Sequence, residues 1–349
     1  MSSAFAGFEN QWLVRGRLLA ELRYRRLPRQ GGWSHGGAQF GTEPTSLALL
    51  ALCSSPTSSM VPRGEMEALL ERQRSDGLWP AVGDGAAGLN FWATAMAVNT
   101  LMILGATGET FAASLEALVH QRPLEASWLV RLKFRISDRQ VRFDPTKYGW
   151  AWVPDSLSWV VPTSMALITL ERAKRQGLIR GSELEKRMRF GTEMLLDRAC
   201  PGGGWNAGNA VVYGVPLRPH IDATAIALAA LRFHHQLPIV RNSLTWMLNR
   251  IDCPSASSLA WMILAAAAYR DVRSDVSPAL DVARDRLTAQ APVRLLQSGV
   301  PDRRTGGRDS KDEEQNGQCH TSATNRRPIV CAPRLQDGKA PVDSGNTGA

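Results

Sequence analysis

The chain has 349 residues, 44% of them hydrophobic, and a formal net charge of +9. That length fits one large domain or two ordinary ones, and that apolar content excludes a globally disordered chain. No unbroken apolar run is long enough to span a membrane.

The first segment, MSSAFAGFENQWLVRGRLLAEL, has neither a continuous apolar core nor a small-residue cleavage site, so no secretory signal is expected. Overlapping it, VRGRLLAELRYRRLPR sets six arginines against one glutamate. A basic helix of this kind is first a solvated face, and is otherwise suited to peripheral contact with anionic lipid or a diphosphate. A second basic group lies in RLKFRISDRQVR. Neither interleaves aromatics as nucleic-acid modules do, and no nucleic-acid partner is expected.

Self-similarity then organises the chain. QGGWSHGGAQFGTEPTSLALLALC, SDGLWPAVGDGAAGLNFWATAMAVNTLMILG, KYGWAWVPDSLSWVVPTSMALITLERA and PGGGWNAGNAVVYGVPLRPHIDATAIALAALRF share one plan. Glycine precedes a tryptophan (Trp33, Trp79, Trp150, Trp205), a loop follows, and a threonine (Thr45, Thr94, Thr163, Thr224) opens an apolar run. SASSLAWMILAAAAY repeats the apolar run from Ser257 without the tryptophan turn. Glycine supplies the tight turn, the indole anchors it, and the threonine is expected to cap the helix that follows.

The runs such as TSLALLAL and ATAIALAAL are apolar nearly all round, as buried helices are. Between them GEMEALLERQRS, GSELEKRMRFGTEMLLDRA and RNSLTWMLNRI are amphipathic and suit a wetted outer layer. Spacings of 49, 69, 61 and 33 residues between the Thr/Ser openings leave room for two helices each. Stacked hairpins extend as a solenoid or close into a ring, and inner helices this apolar favour closure. The expected fold is all-α, an α/α toroid of about five to six hairpins. The toroid domain is assigned to 1–296. From 297 to 349 the chain is poor in aromatic and branched aliphatic residues and reads as a disordered tail. Five cysteines, odd in number and without C-x-x-C, fit a reduced cytoplasm.

The repeat resembles those of squalene–hopene cyclases and protein prenyltransferase beta subunits. LLERQRSDGLWP is similar to the cyclases' QW motif, with Gln73, Gly77 and Trp79 in register. The third and fourth repeats resemble a group of bacterial single-domain proteins with squalene-cyclase repeats. The resemblance implies the terpenoid-cyclase toroid and an isoprenoid ligand, polyprenyl or triterpenoid, in a central apolar cavity. If the protein is active, it implies an isomerase-type cyclase.

Class II cyclases protonate an alkene with an aspartate in an acidic stretch, and HIDATA aligns Asp222 with that proton donor. His220 and Ala223 stand where further carboxylates belong. The residues leave two readings of Asp222, of which the helix cap comes first and the catalytic acid second. His35, Phe40, Phe91, Trp92, Trp152, Trp159, Tyr213, His220 and Trp261 fall in loops or early helix positions and are the candidates to line a pocket.

A prenyltransferase would need zinc held by Asp, Cys and His. Asp252 and Cys253 are adjacent rather than spaced, and Cys319 and His320 lie in the tail, so no metal or cofactor is expected. GDGAAG matches a dinucleotide fingerprint only in letters, since no strand precedes it. Full triterpene cyclases use two helical domains, whereas this chain offers one. A small isoprenoid or a partner subunit would be needed, or the chain is a non-catalytic module that binds lipid or protein.

Overall fold

The computed structural model describes residues 14–54, 63–83, 90–137, 141–252 and 255–289. The chain divides into a unit spanning Met1–Pro301 and another spanning Asp302–Ala349, and all described residues belong to the first. The expected tail, most of the GDGAAG loop, Cys253, Cys319 and His320 lie outside the described residues.

Those residues are mainly helical, with a first helix α1 over 14–24. Then follow α2 (Thr42–Cys53), α3 (Arg63–Leu70), α4 (Phe91–Ile103), α5 (Ala112–His120) and α6 (Trp128–Ser137). The rest are α7 (Val160–Arg175), α8 (Ser182–Asp197), α9 (Ile221–Ala230), α10 (Pro238–Leu248), α11 (Ala256–Ala267) and α12 (Val276–Ala289). No described helix is long and apolar enough to cross a membrane.

The two layers foreseen from the pattern are present. The apolar helices form an inner row in which α2 packs on α4, α4 on α7, α7 on α9 and α9 on α11. In α4 every residue from Phe91 to Met102 is buried. Such burial is open only to a helix with neighbours on nearly all sides. The amphipathic helices form the outer layer. α3 rests on α2, α5 on α4 and α7, α8 on α7, and α10 on α9 and α11. Each outer helix buries one stripe, as with Leu184, Met194 and Leu195 of α8.

The row bends. α4 and α11 are separated in it by α7 and α9. Even so, the indoles of Trp92 and Trp261 meet with ring centroids 6.1 Å apart.

One corner joins outer to inner helix four times over. The indole N–H donates to the last turn of the preceding outer helix. The pairs are Trp33 to Leu22 at 2.7 Å, Trp79 to Leu69 at 2.8 Å, Trp150 to Leu118 at 2.8 Å and Trp205 to Leu195 at 2.6 Å. Carbonyls at a helix C-terminus lack intrahelical donors, and the indole supplies one while filling the corner with apolar area.

The threonine role differs from the expected cap. The residues preceding the inner helices are Gly41, Asn90, Trp159 and His220, and the threonines stand one turn inside. Each threonine Oγ1 accepts the backbone N–H of its tryptophan, at 2.9, 3.0, 2.8 and 2.9 Å in chain order. The N–H of the residue before each helix closes the corner by donating to the tryptophan carbonyl, at 2.8, 3.3, 3.0 and 2.8 Å. Threonine therefore fastens the turn rather than capping the helix.

The following outer helix also grips the corner. Gly77, at φ +79°, lies so close to α5 that an added Cβ would stand 2.7 Å from the Ala113 backbone carbon. Ser114 of α5 donates to the Gly77 carbonyl at 2.6 Å, and Gln73 donates to Ser114 at 2.8 Å. In the third repeat Arg187 of α8, only 1% exposed, donates to the Gly149 carbonyl. Its guanidinium also lies 3.6 Å from the Trp150 ring centroid. Burial presses its pKa from 12.5 to about 9, so it stays charged at neutral pH, held by carbonyls and an aromatic face.

The long second spacing, 69 residues from Thr94 to Thr163, has a local cause. Between α5 and Trp150 the chain inserts a short helix Leu124–Ala126, then α6, then strand β1 (Val141–Arg142). β1 pairs antiparallel with β2 (Val211–Val212), which pairs with β3 (Val215–Pro216). Tyr213 (φ +52°) and Gly214 (φ +76°) make the two-residue turn between β2 and β3.

Candidate functional site

Every corner lies at the N-terminal end of an inner helix, so this end of the row gathers the loops. Successive repeats are stitched there through backbone. The first amide of α2, Thr42, donates to Ala81 at 3.1 Å. That of α4, Phe91, donates to Trp152 at 2.9 Å, and that of α7, Val160, to Ala207 at 3.0 Å. Each acceptor sits two residues after the next repeat's tryptophan. Helix N-termini leave amides without internal partners, and here the following loop satisfies the first.

The stitching stops at α9. The segment before α11 has no glycine–tryptophan corner, and among the described residues no carbonyl takes the corresponding amide, that of Ile221. Asp222 is the next residue. It is not the cap: the residue before the helix is His220, whose side chain makes no capping bond. Asp222 is half-buried, and its Oδ1 is fully buried with no hydrogen-bond partner. A carboxyl in the first turn is favoured by the helix dipole. An unpaired buried acceptor costs free energy unless a proton or a ligand donor meets it.

Three of the expected pocket residues come together at this end. Trp92, in the first turn of α4, meets Trp152 of the third loop at 5.9 Å and Trp261 of α11 at 6.1 Å, both with tilted or edge geometry. Trp92 is buried, while Trp152 and Trp261 keep part of their surface open. Such an indole cluster offers ring faces to an apolar ligand or a cation.

The other candidates are placed apart from this cluster's ring contacts. Phe40 is fully buried with the Arg72 guanidinium 4.9 Å from its centroid, and Phe91 is buried in the core. His35 is exposed, 3.7 Å from Glu43. His220 is exposed, and Tyr213 is 71% exposed at the tip of its hairpin.

Trp159 belongs to a small pocket of about 60 Å³ whose lining is mainly apolar. It shares the walls with Glu125, Phe143, Leu157, Ser158, Arg198, Gly208 and Asn209. Glu125 is fully buried, and its Oε1 accepts both the N–H (2.9 Å) and the O–H of Ser158. Arg198, 4% exposed, donates to Asn209 at 2.6 Å and stacks 4.3 Å from the Phe143 centroid. Burial lowers its pKa, while Glu125 and Asp197 raise it.

Glu125 Oε2 and Arg198 Nε have no hydrogen-bond partner. Arg198 Nε lies 3.9 Å from Asp197 Oδ2, an ion pair longer than a hydrogen bond. None of Glu125, Ser158, Arg198 and Asn209 stands out in the sequence, because they come from four separate segments.

The zinc alternative gains nothing from the geometry: among the described residues no three His, Cys, Asp or Glu side chains gather around a common point.

No family model matches the chain, and no curated protein matches it closely. A crystal structure of a protein from Actinoplanes is similar over 80% of both chains, with a TM-score of 0.50 and 16% identity. At that identity the likeness is one of fold alone.

Proposed function

We propose that the hairpins form an α/α toroid of the terpenoid-cyclase and prenyltransferase type, and that it binds an isoprenoid at the end where the corners gather. The observation that carries this reading is the contact of Trp92 with Trp261 across a row in which their helices are not neighbours. It implies an inner face curved around a common centre, lined with aromatic and aliphatic groups. A polyprenyl or triterpenoid chain would lie against the open faces of Trp152 and Trp261, where burial of its branched hydrocarbon supplies the binding free energy.

Asp222 is the residue we assign to chemistry. Protonated, its carboxyl would give its proton to a terminal alkene, whose π electrons form the new C–H bond and leave a tertiary carbocation. Attack by the next alkene closes a ring. Loss of a proton from the last cation to the carboxylate restores the acid. Indole faces stabilise the cations on the way.

A second reading has its own support. His220 is exposed and Ala223 carries no acid, so Asp222 lacks the carboxylate neighbours that would tune a strong proton donor. On that reading the protein carries an isoprenoid without altering it.

One experiment divides them. Organic extracts of the purified full chain are examined by mass spectrometry, and the protein is incubated with farnesol, geranylgeraniol and squalene. Cyclised product from wild type and none from Asp222→Asn supports the cyclase. Bound isoprenoid without product supports the carrier. Neither binding nor product with any of the three overturns the proposal.

A further inference from the structure

α6 has two apolar faces, and the protein covers one. Val130 and Phe134 are half-buried, with Phe134 edge-on to Phe143 at 5.1 Å. On the other side Trp128 is 65% exposed, Leu129 59% and Leu132 44%. At 3.6 residues per turn Trp128 and Leu132 stack on one stripe with Leu129 beside them. Arg131 then flanks that stripe on one edge and Lys133 on the other. The helix, WLVRLKFRIS, holds no acidic residue. Arg131 and Lys133 make no ion pair among the described residues. α6 packs extensively only on the short helix Leu124–Ala126, whose Leu124 is itself 41% exposed.

We infer that α6 is a seat for an anionic phospholipid surface, on which it lies flat. Its 10 residues are too few to cross a bilayer. A tryptophan and leucines between two cations match the layering of a membrane interface, with acyl boundary below and phosphates at the height of the flanking charges. Arg131 adds a specific contact. With Trp128, Leu132 and Thr146 it lines a mainly apolar groove of about 350 Å³, which suits a phosphate headgroup with its glycerol and upper acyl carbons. The basic α1, to which the sequence alone points, turns Leu19 and Leu22 inward against Trp33, Ala48 and Leu52. α6 is the helix that leaves Trp128, Leu129 and Leu132 together on its outer side. This inference does not depend on the function proposed above.

The test uses the full chain and sedimentation with vesicles of phosphatidylcholine, alone or with phosphatidylserine. Wild type should bind the mixed vesicles and not the neutral ones. Trp128→Ser should weaken binding about tenfold, and Arg131→Gln with Lys133→Gln about twentyfold with loss of its salt dependence. All these side chains are outside the core, so far-UV circular dichroism and melting should stay those of wild type. Absence of binding to mixed vesicles at low salt overturns the proposal and leaves the face to a protein partner. Binding unchanged in both variants overturns it in favour of another surface.

Discussion

The N-terminal ends of α4 and α9 are built from the same letters and finish differently. Both follow a glycine–tryptophan corner, and both carry a threonine one turn in that holds the tryptophan amide. At α4 the next repeat arrives and its Trp152 carbonyl takes the first helical amide, while Asn90 accepts from Ala93 at 3.0 Å. At α9 no carbonyl of the described residues takes the corresponding amide, and Asp222 keeps a buried oxygen without a donor. A repeat is therefore completed by the one that follows it, and the last corner is left with unused polar groups.

The largest effect should come from making the α4 end resemble that of α9. Trp150→Ala removes a fully buried indole, orphans the Leu118 carbonyl and uncovers Arg187, and it releases the corner whose Trp152 holds α4. A loss of about 4 kcal/mol in denaturant unfolding is expected.

Next come Thr163→Val and Thr224→Val. Each keeps the shape and strands one buried tryptophan amide, for about 2 kcal/mol apiece by the same measurement. A clearly smaller loss at Thr163 would show that the third corner stands without its fastening.

The sharpest contrast is smaller. Asn90→Ala should cost about 1 kcal/mol because it removes a working cap. Asp222→Ala should stay within about 0.5 kcal/mol of wild type because it removes an acceptor that accepts nothing. Equal losses at the two positions would mean that the two helix ends are energetically alike. The finest probe is hydrogen exchange, in which the Phe91 amide should be protected and the Ile221 amide should exchange faster.

The sequence announced the hairpins well, because glycine–tryptophan turns and all-round apolar helices are local signals. It misassigned the threonines. A Thr before an apolar run looks like a cap, whereas the real partner of Thr224 is the amide of a residue 19 positions upstream. The stitching between repeats is backbone to backbone and leaves no trace in side-chain identity. Of the nine candidate pocket residues, Trp92, Trp152 and Trp261 meet one another. Phe40 and Phe91 went to the core, since loop position alone does not say which way a ring turns. The chamber around Glu125 stayed hidden because its polar members only become neighbours once the repeats are stacked.

The stitches also point one way along the chain, since each helix is fastened by residues made later. A nascent chain leaves the ribosome with its newest hairpin always unlatched. Shortening the protein from its C-terminus should loosen the hairpin just before the cut. Trimming from the N-terminus should leave the remaining latches shut.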